Sequence, residues 1–446
     1  MTTTLPESSG KGKHYAQPTA NNQLLTATHQ LPMPPNAVAV YIHIPFCHHR
    51  CSYCDFNIYA GMKSLYEPYV EAVAEEIAAT AVRAGRVHVP SIYFGGGTPS
   101  LLPPELIGGL LIAVRTFFDV ADDAEVTLEA NPQSQSGASR DAESRMQPHG
   151  GPSQDKHFAL LRTLGINRLS LGVQSSHEDE LHLLRRGHSF AEAIATYEAA
   201  RQAGFDNVNI DLIYGLPDQS IERWRTTLEH VIALRPDHLS AYSLQIEPRT
   251  AMLHWVQNGR VPEPDEDIVA TMYELTQERL AQAGFEHYEI SNWAKVGQRA
   301  GGNEGGTDNY RSVHNLIYWR NEPYFGFGCG AHSSFEGRRY SNVLHPRDYI
   351  EHIQRTGEAL AEVETIDRAL EMGETLMLGL RLIAEGVERT RFKERFGVDL
   401  DQVYSTTIAR LIEQGLLESD DERIRLTANG RLLGNRVFGA FLPNGS

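Results

Sequence analysis

Basic stretches are missing from this chain, and so is any long apolar run. Its 40 Lys and Arg face 57 Asp and Glu, a formal charge of 40 − 57 = −17, and no Lys/Arg-rich segment offsets that balance. This excludes a largely electrostatic nucleic-acid binder. No stretch approaches the roughly 18 consecutive apolar residues that mark a membrane span. Cysteine is scarce: four in 446 residues cannot build a disulfide framework, which points to a reducing, cytoplasmic setting. The first 36 residues are polar and rich in Pro, Asn and Thr. They lack both the apolar core of a signal peptide and an Arg-rich amphipathic pattern, and read as a disordered tail.

The length suggests two domains, and the 41% hydrophobic content is ordinary for a globular protein. From residue 38 a beat repeats, in which a short β-rich apolar run and a turn lead into a helical pattern. The strand candidates are 38–44, 91–94, 125–130, 168–173, 207–214 and 238–246. Helical patterns lie between them, at 65–84 and at 220–234 for instance, and the second opens on SIER, which resembles a capping box. Near-continuous apolar strands alternating with helices imply parallel βα units buried on both faces. Six such units, where a closed barrel needs eight, predict an α/β fold: an open, partial (β/α)6 barrel. From about 367 the chain turns helical and ends in a hairpin-like LLESDDERIRLT, a winged-helix-like pattern. The expected division is a tail over 1–36, a barrel over 37–250 with a polar insertion at 133–155, an extension over 251–366 with another at 295–312, and a C-terminal domain over 367–446.

Active groups of parallel barrels gather at the carboxyl ends of the strands. Here those ends carry PFCHHRCSYC, GGGTPS, Glu129, Gln174, Asp211 and the pair Gln245 and Glu247, so one shared site is expected at that rim. Three of the four cysteines, Cys47, Cys51 and Cys54, fall within eight positions. Structural zinc normally uses two separated ligand pairs, and no second pair exists. A CxxC redox pair would leave Cys47 without a role. Three thiolates suit a [4Fe–4S] cluster with one iron open to a non-protein ligand, and both spacing and strand context favour that choice. GGGTP is weak alone, since three glycines can simply form a tight turn. Beside a cluster, its bare backbone could approach a ligand closely. Glu129, Gln174 and Asp211 could equally be satisfied structural residues, and Arg186 a surface charge.

Taken together, YIHIPFCHHRCSYCDF, GGGTP, LEANP, LGVQS and NIDLIYGLP resemble the motifs of radical S-adenosylmethionine proteins. The similarity is to the branch that holds oxygen-independent coproporphyrinogen III oxidases and HemW-type heme chaperones, and it runs from about 38 to the C-terminus. It implies that Cys47, Cys51 and Cys54 ligate the cluster and that the free iron takes the methionine end of S-adenosylmethionine. One electron would then cleave the sulfonium to methionine and a 5′-deoxyadenosyl radical. It further implies that Gly96, Gly97 and Thr98 contact the methionyl part, and that Tyr41, Glu129, Gln174, Arg186 and Asp211 hold the rest of the cofactor. Oxidases of this branch carry a fourth cysteine two residues after the third; here that position is Phe56, as in HemW-like proteins. VHNLIYWRN matches the HNxxYW signature associated with heme in that group, through His314, Asn315, Tyr318 and Trp319. His314 is the natural iron ligand and Cys329 a second candidate, against the plainer reading of the stretch as aromatic packing. The resemblance thus implies a heme chaperone that passes heme to acceptors such as respiratory enzymes, a role compatible with peripheral membrane association. The rival is decarboxylation of coproporphyrinogen III.

Overall fold

A computed structural model describes residues 37–132, 154–296 and 310–443. The tail expected over 1–36, nearly all of the first polar insertion and most of the second lie outside these residues. At their edges, a helix already begins at Gln154 and a strand still runs to Lys295.

Six strands form the centre of the fold: β1 (Ala39–Ile44), β2 (His88–Gly96), β3 (Asp119–Ala130), β4 (Arg168–Gln174), β5 (Val208–Tyr214) and β6 (His238–Ser243). They lie side by side in chain order and pair in parallel. The extension adds Tyr324–Phe327 parallel to β1. Antiparallel strands then finish both sides, so the sheet of 12 strands found among the described residues has two free edges and does not close. The edge strand Leu360–Thr365 is exposed throughout. Its Glu362 and Glu364 place charges along the open edge, a device that discourages pairing with another chain.

The strands are apolar on one face only. Val40, Ile42, Leu169, Leu171, Ile210 and Leu239 join one core with Tyr69, Val73 and Ile77 of helix Tyr66–Ala84 and Leu110 and Val114 of helix Pro104–Phe117. Alternate positions carry Tyr41, Tyr93, Glu129, Arg168, Ser170, Asn209, Asp211 and His238, and the register sets these in rows. Near-continuous apolarity therefore holds for the helix-facing side alone. The opposite, concave face lines the site and is polar.

Ser220 caps helix Ile221–Ala233 by accepting from the Arg223 N–H, but only half of the expected capping box forms. The box needs a Glu or Gln at the third helical position, and Arg223 stands there. The C-terminal part has its own apolar cluster, including Leu376, Phe392, Ile408, Ile424 and Phe438. Its helices (Arg368–Gly379, Arg389–Phe396, Leu400–Glu413) and the small antiparallel sheet of Val387–Glu388, Arg423–Leu426 and Leu417–Ser419 give the winged-helix-like layout. Among the described residues no helix is long and apolar enough to cross a membrane.

Candidate functional site

The cysteine loop leaves the end of β1 and is closed at its base, where Phe46 and Cys47 pair with Tyr59 and Ala60. Cys47, Cys51 and Cys54 are half-buried, and none of the chain's four cysteines is in a disulfide. Ser52 ties the middle of the loop down: its N–H donates to the Leu184 carbonyl at 3.2 Å and its hydroxyl to the Leu183 carbonyl at 2.7 Å. Asn57 holds the far end by donating to the carbonyls of Cys329 (3.2 Å) and Leu344 (2.8 Å). The Asn57 carbonyl accepts from His43 Nε2 at 2.9 Å, which leaves His43 Nδ1 to accept from the Tyr41 hydroxyl at 3.0 Å.

The GGGTP turn runs against this loop. Gly97 and Thr98 donate their N–H groups to the carbonyls of Ile44 and Phe46, both at 2.8 Å. A Cβ on Gly96, where φ is +109°, would enter the His43 ring, and one on Gly97 would sit 2.6 Å from the Phe46 carbonyl oxygen. These two glycines are thus required by the packing of the protein against itself. Gly97→Ala is expected to cost about 1–3 kcal/mol as the loop is forced aside, read as a lower midpoint in chemical denaturation.

Thr98, Arg186 and His49 reach the thiols, and Asn131 joins the first two. The Asn131 amide donates to Thr98 Oγ1 at 2.8 Å, so the Thr98 hydroxyl proton is free for Cys47 Sγ at 3.6 Å. Arg186 donates to Cys51 Sγ at 3.5 Å, to the Gly172 carbonyl at 2.6 Å and to Asn131 Oδ1. Burial raises the Cys47 thiol and pushes Cys54 up to about 12. For Cys51 burial acts the same way, but a hydrogen bond from His49 and the charge of Arg186 outweigh it and hold the thiol below its usual value. Cys51 is therefore the sulfur best prepared to be a thiolate.

Glu129 accepts from the Tyr93 hydroxyl at 2.9 Å and from the Gly96 N–H at 3.1 Å. Burial, then the nearby Asp211 charge, push its carboxyl up to about 7. Asp211 is held by Ser170 (2.9 Å) and Asn209 (2.8 Å). Gln174 closes β4 at φ 74°, beside a register shift that turns it inward, and its buried Oε1 has no partner. Arg186 Nε is likewise buried and unpaired.

The HNLIYW segment forms a short helix, Val313–Trp319, capped by Ser312, which accepts from the Asn315 N–H. Its residues separate. His314 is 1% exposed, and both ring nitrogens are engaged, with Ser91 Oγ at 3.0 Å and Tyr318 Oη at 2.9 Å. Burial, helped by the Arg168 charge, lowers it to about 3 and keeps it neutral. Trp319 faces the other way, beneath the Arg381 guanidinium 5.0 Å from its ring centroid. Cys329 is wholly buried, accepts from Tyr69 and Asn57, and is pushed by burial to about 12.

The structure thus brings Cys47, Cys51, Thr98 and Arg186 together at the rim. Tyr41, Glu129, Gly96, Gln174 and Asp211 line the face below, with His314 and Tyr318 packed deeper against Ser91 and Tyr93. Sequence reading missed Asn57, Asn131, Tyr93, Ser170 and Asn209. The signal was present for most of them: polar residues at every second position of strands whose other positions are apolar.

Residues 41–231 match the family described as the radical SAM superfamily, and 366–433 match the HemN C-terminal domain. A heme chaperone HemW of Bacillus subtilis (strain 168) is 35% identical over 405 residues, covering 91% of this chain and 99% of that one. The heme chaperone HemW of Escherichia coli (strain K12) is 34% identical, covering 92% and 99%. The chain belongs to the HemW family of radical SAM proteins. A solved coproporphyrinogen III oxidase, HemN from Escherichia coli, shares the fold across 92% of this chain and 91% of its own, with a TM-score of 0.74 at 24% identity.

Membership in this radical SAM family brings a [4Fe–4S] cluster and S-adenosylmethionine as cofactors. The site of this HemW relative fits them. Among the described residues, no three His, Cys, Asp or Glu side chains converge as they would on a single metal ion. A cluster asks for something else, with each thiolate meeting its own iron, and three free thiols spread along one loop provide it. The unpaired Gln174 Oε1 and Arg186 Nε mark polar positions on the same face that the protein itself does not satisfy.

Proposed function

We propose that the protein is a cytoplasmic heme chaperone that binds heme and delivers it to acceptor proteins, using its cluster and S-adenosylmethionine in that task. The observation that carries this reading is identity to proteins named heme chaperones over nearly the full length of both chains. Cys47, Cys51 and Cys54 hold the cluster. Gly96, Gly97 and Thr98 present backbone and hydroxyl to the methionyl end, and Arg186 Nε and the Gln174 carbonyl oxygen supply a donor and an acceptor that are otherwise unpaired. Tyr41, Glu129 and Asp211 shape the face against which the remainder rests. When bound, the two cofactors supply one-electron radical chemistry. What the chain itself contributes is position, polarity and exclusion of water.

Gln174→Gly separates binding from folding. Glycine accepts φ 74° without strain, so thermal stability is expected to hold or rise slightly. Affinity for S-adenosylmethionine should fall about tenfold, the worth of one well-placed hydrogen bond, by calorimetry on the reconstituted protein. Unchanged affinity would remove Gln174 from the site.

Heme binding is tested by titration into the reconstituted protein with the Soret band as readout, followed by transfer to an apo-acceptor. His314→Ala and Cys329→Ala are run alongside. A role for His314 on iron requires its bond to Tyr318 or Ser91 to open, so binding through it should be slow. Unchanged affinity and spectrum in both variants would take these residues out of the proposal. Steady formation of protoporphyrinogen from coproporphyrinogen III under reducing, anaerobic conditions would overturn the chaperone reading itself.

A further inference from the structure

Asn131, the asparagine of LEANP, follows strand β3 directly and stands between two groups that reach the thiols. Its amide nitrogen donates to Thr98 Oγ1 at 2.8 Å, and its Oδ1 accepts from Arg186 Nη2. The guanidinium fixes which way round the amide stands, because arginine has only donors and must meet the oxygen. The Thr98 oxygen therefore faces the amide nitrogen, and the hydroxyl proton turns to Cys47 Sγ at 3.6 Å. Arg186 also donates to Cys51 Sγ at 3.5 Å. One guanidinium thus sends a donor to two of the three sulfurs, to Cys51 directly and to Cys47 through Asn131 and Thr98.

The neighbouring strand makes room for this chain of bonds. Gly172 stands inside strand β4, where glycine weakens a strand and marks a close approach. A Cβ there would lie 2.7 Å from Asn131 Oδ1 and 3.1 Å from Arg186 Nη2, and the Gly172 carbonyl accepts from the same guanidinium at 2.6 Å. Thr98 is buried, which shields its two bonds from exchange with bulk water.

Hydrogen bonds to the sulfurs help set the potential of an iron–sulfur cluster, since a donor favours the more negative, reduced state. We propose that Asn131 is a positioning residue that sets this potential by aiming Thr98 at Cys47 and holding Arg186 against Cys51. The inference rests on Cys47, Cys51 and Cys54 carrying the cluster, and it is independent of where heme binds.

The test is a reduction titration of the reconstituted full chain, followed by electron paramagnetic resonance, with iron and sulfide measured first in every variant. Asn131→Asp replaces the donor by an acceptor. Thr98 then gives its proton to the carboxylate instead of Cys47, and the added charge draws Arg186 from Cys51. The reduction equilibrium should fall at least about tenfold, which for one electron is a shift of about 59 mV to lower potential. Asn131→Leu adds no charge but releases both partners, and should lower the equilibrium about threefold. Thr98→Val removes only the Cys47 arm and should lower it by a similar factor. In the double variant Asn131→Asp, Thr98→Val the fall should be smaller than the product of the single effects, as for members of one chain. Gly172→Ala, which displaces the pair without changing its chemistry, should shift the potential the same way. If the Asn131 variants lose iron, Thr98→Val and Gly172→Ala decide the matter on the same readout.

Wild-type potential in iron-loaded Thr98→Val and Gly172→Ala would overturn the proposal. A fall in Asn131→Asp without one in Asn131→Leu would show charge instead of positioning, and would overturn it as well. A wild type that holds neither iron nor sulfide would defeat the cluster assignment, and the proposal with it.

Discussion

Cys51→Ser is expected to leave the protein folded and nearly unable to retain iron. Cys51 sits at the middle of the loop, where Arg186 and His49 favour its thiolate against the effect of burial. A serine hydroxyl is a hard, protonated ligand at neutral pH, and iron–sulfur clusters are held by soft thiolates. Iron and inorganic sulfide after anaerobic reconstitution should drop to about a tenth of wild type or less. The fold does not depend on this sulfur. No disulfide is lost, and the loop stays pinned through Ser52 and Asn57, so a stability change within about 1 kcal/mol is expected. Wild-type iron content in the variant would remove Cys51 from the ligand set. A collapse of the circular dichroism spectrum would show that the residue holds the fold instead.

Glu76→Ala should be among the most damaging single changes outside the site. Glu76 belongs to helix Tyr66–Ala84, is 7% exposed, and accepts from the Gly328 N–H (2.9 Å), the Asn342 amide (2.6 Å) and the Tyr349 hydroxyl (2.5 Å). It thereby fixes the GFGCG turn, whose Cys329 carbonyl in turn receives Asn57 of the cysteine loop. Alanine leaves three buried donors without an acceptor, a loss of about 3–5 kcal/mol, measurable by denaturant titration. Glu76→Gln adds a pH signature. Burial comes first among the causes that push this carboxyl up, and donated hydrogen bonds pull it back, to about 7. Its folded value is thus above the unfolded one, so its contribution is fully present below about pH 4.5 and is lost as pH rises through about 7. Over that window the wild type should lose up to about 3 kcal/mol relative to Glu76→Gln, which does not titrate. A difference that stays flat from pH 4.5 to 8 would show that Glu76 is charged throughout.

Much of this protein follows from local patterns. The alternation of strands and helices needs only short stretches of chain, so all six strands are legible, although β3 begins at Asp119, six residues before the expected start. The spacing of Cys47, Cys51 and Cys54 is likewise local, as is the occupation of the next cysteine position by Phe56. The class of fold and the family rest on such features. The extra parallel strand Tyr324–Phe327 was not legible, because its partner β1 lies far away in sequence and its pattern is too short to mark it.

Tertiary structure decided what those residues do to one another. Arg186 reaches Cys51 across 135 positions, and His314 finds Ser91 across 223. Sheet register sets such meetings, and no period in the sequence carries it. The glycines of GGGTP, expected to open space for a ligand, are filled from behind by His43 and the Phe46 carbonyl. The HNLIYW residues, read as one signature, point to different surroundings once wound into a helix. Phe56 is a further case: sequence showed only that it is not a cysteine, whereas packing left it 62% exposed.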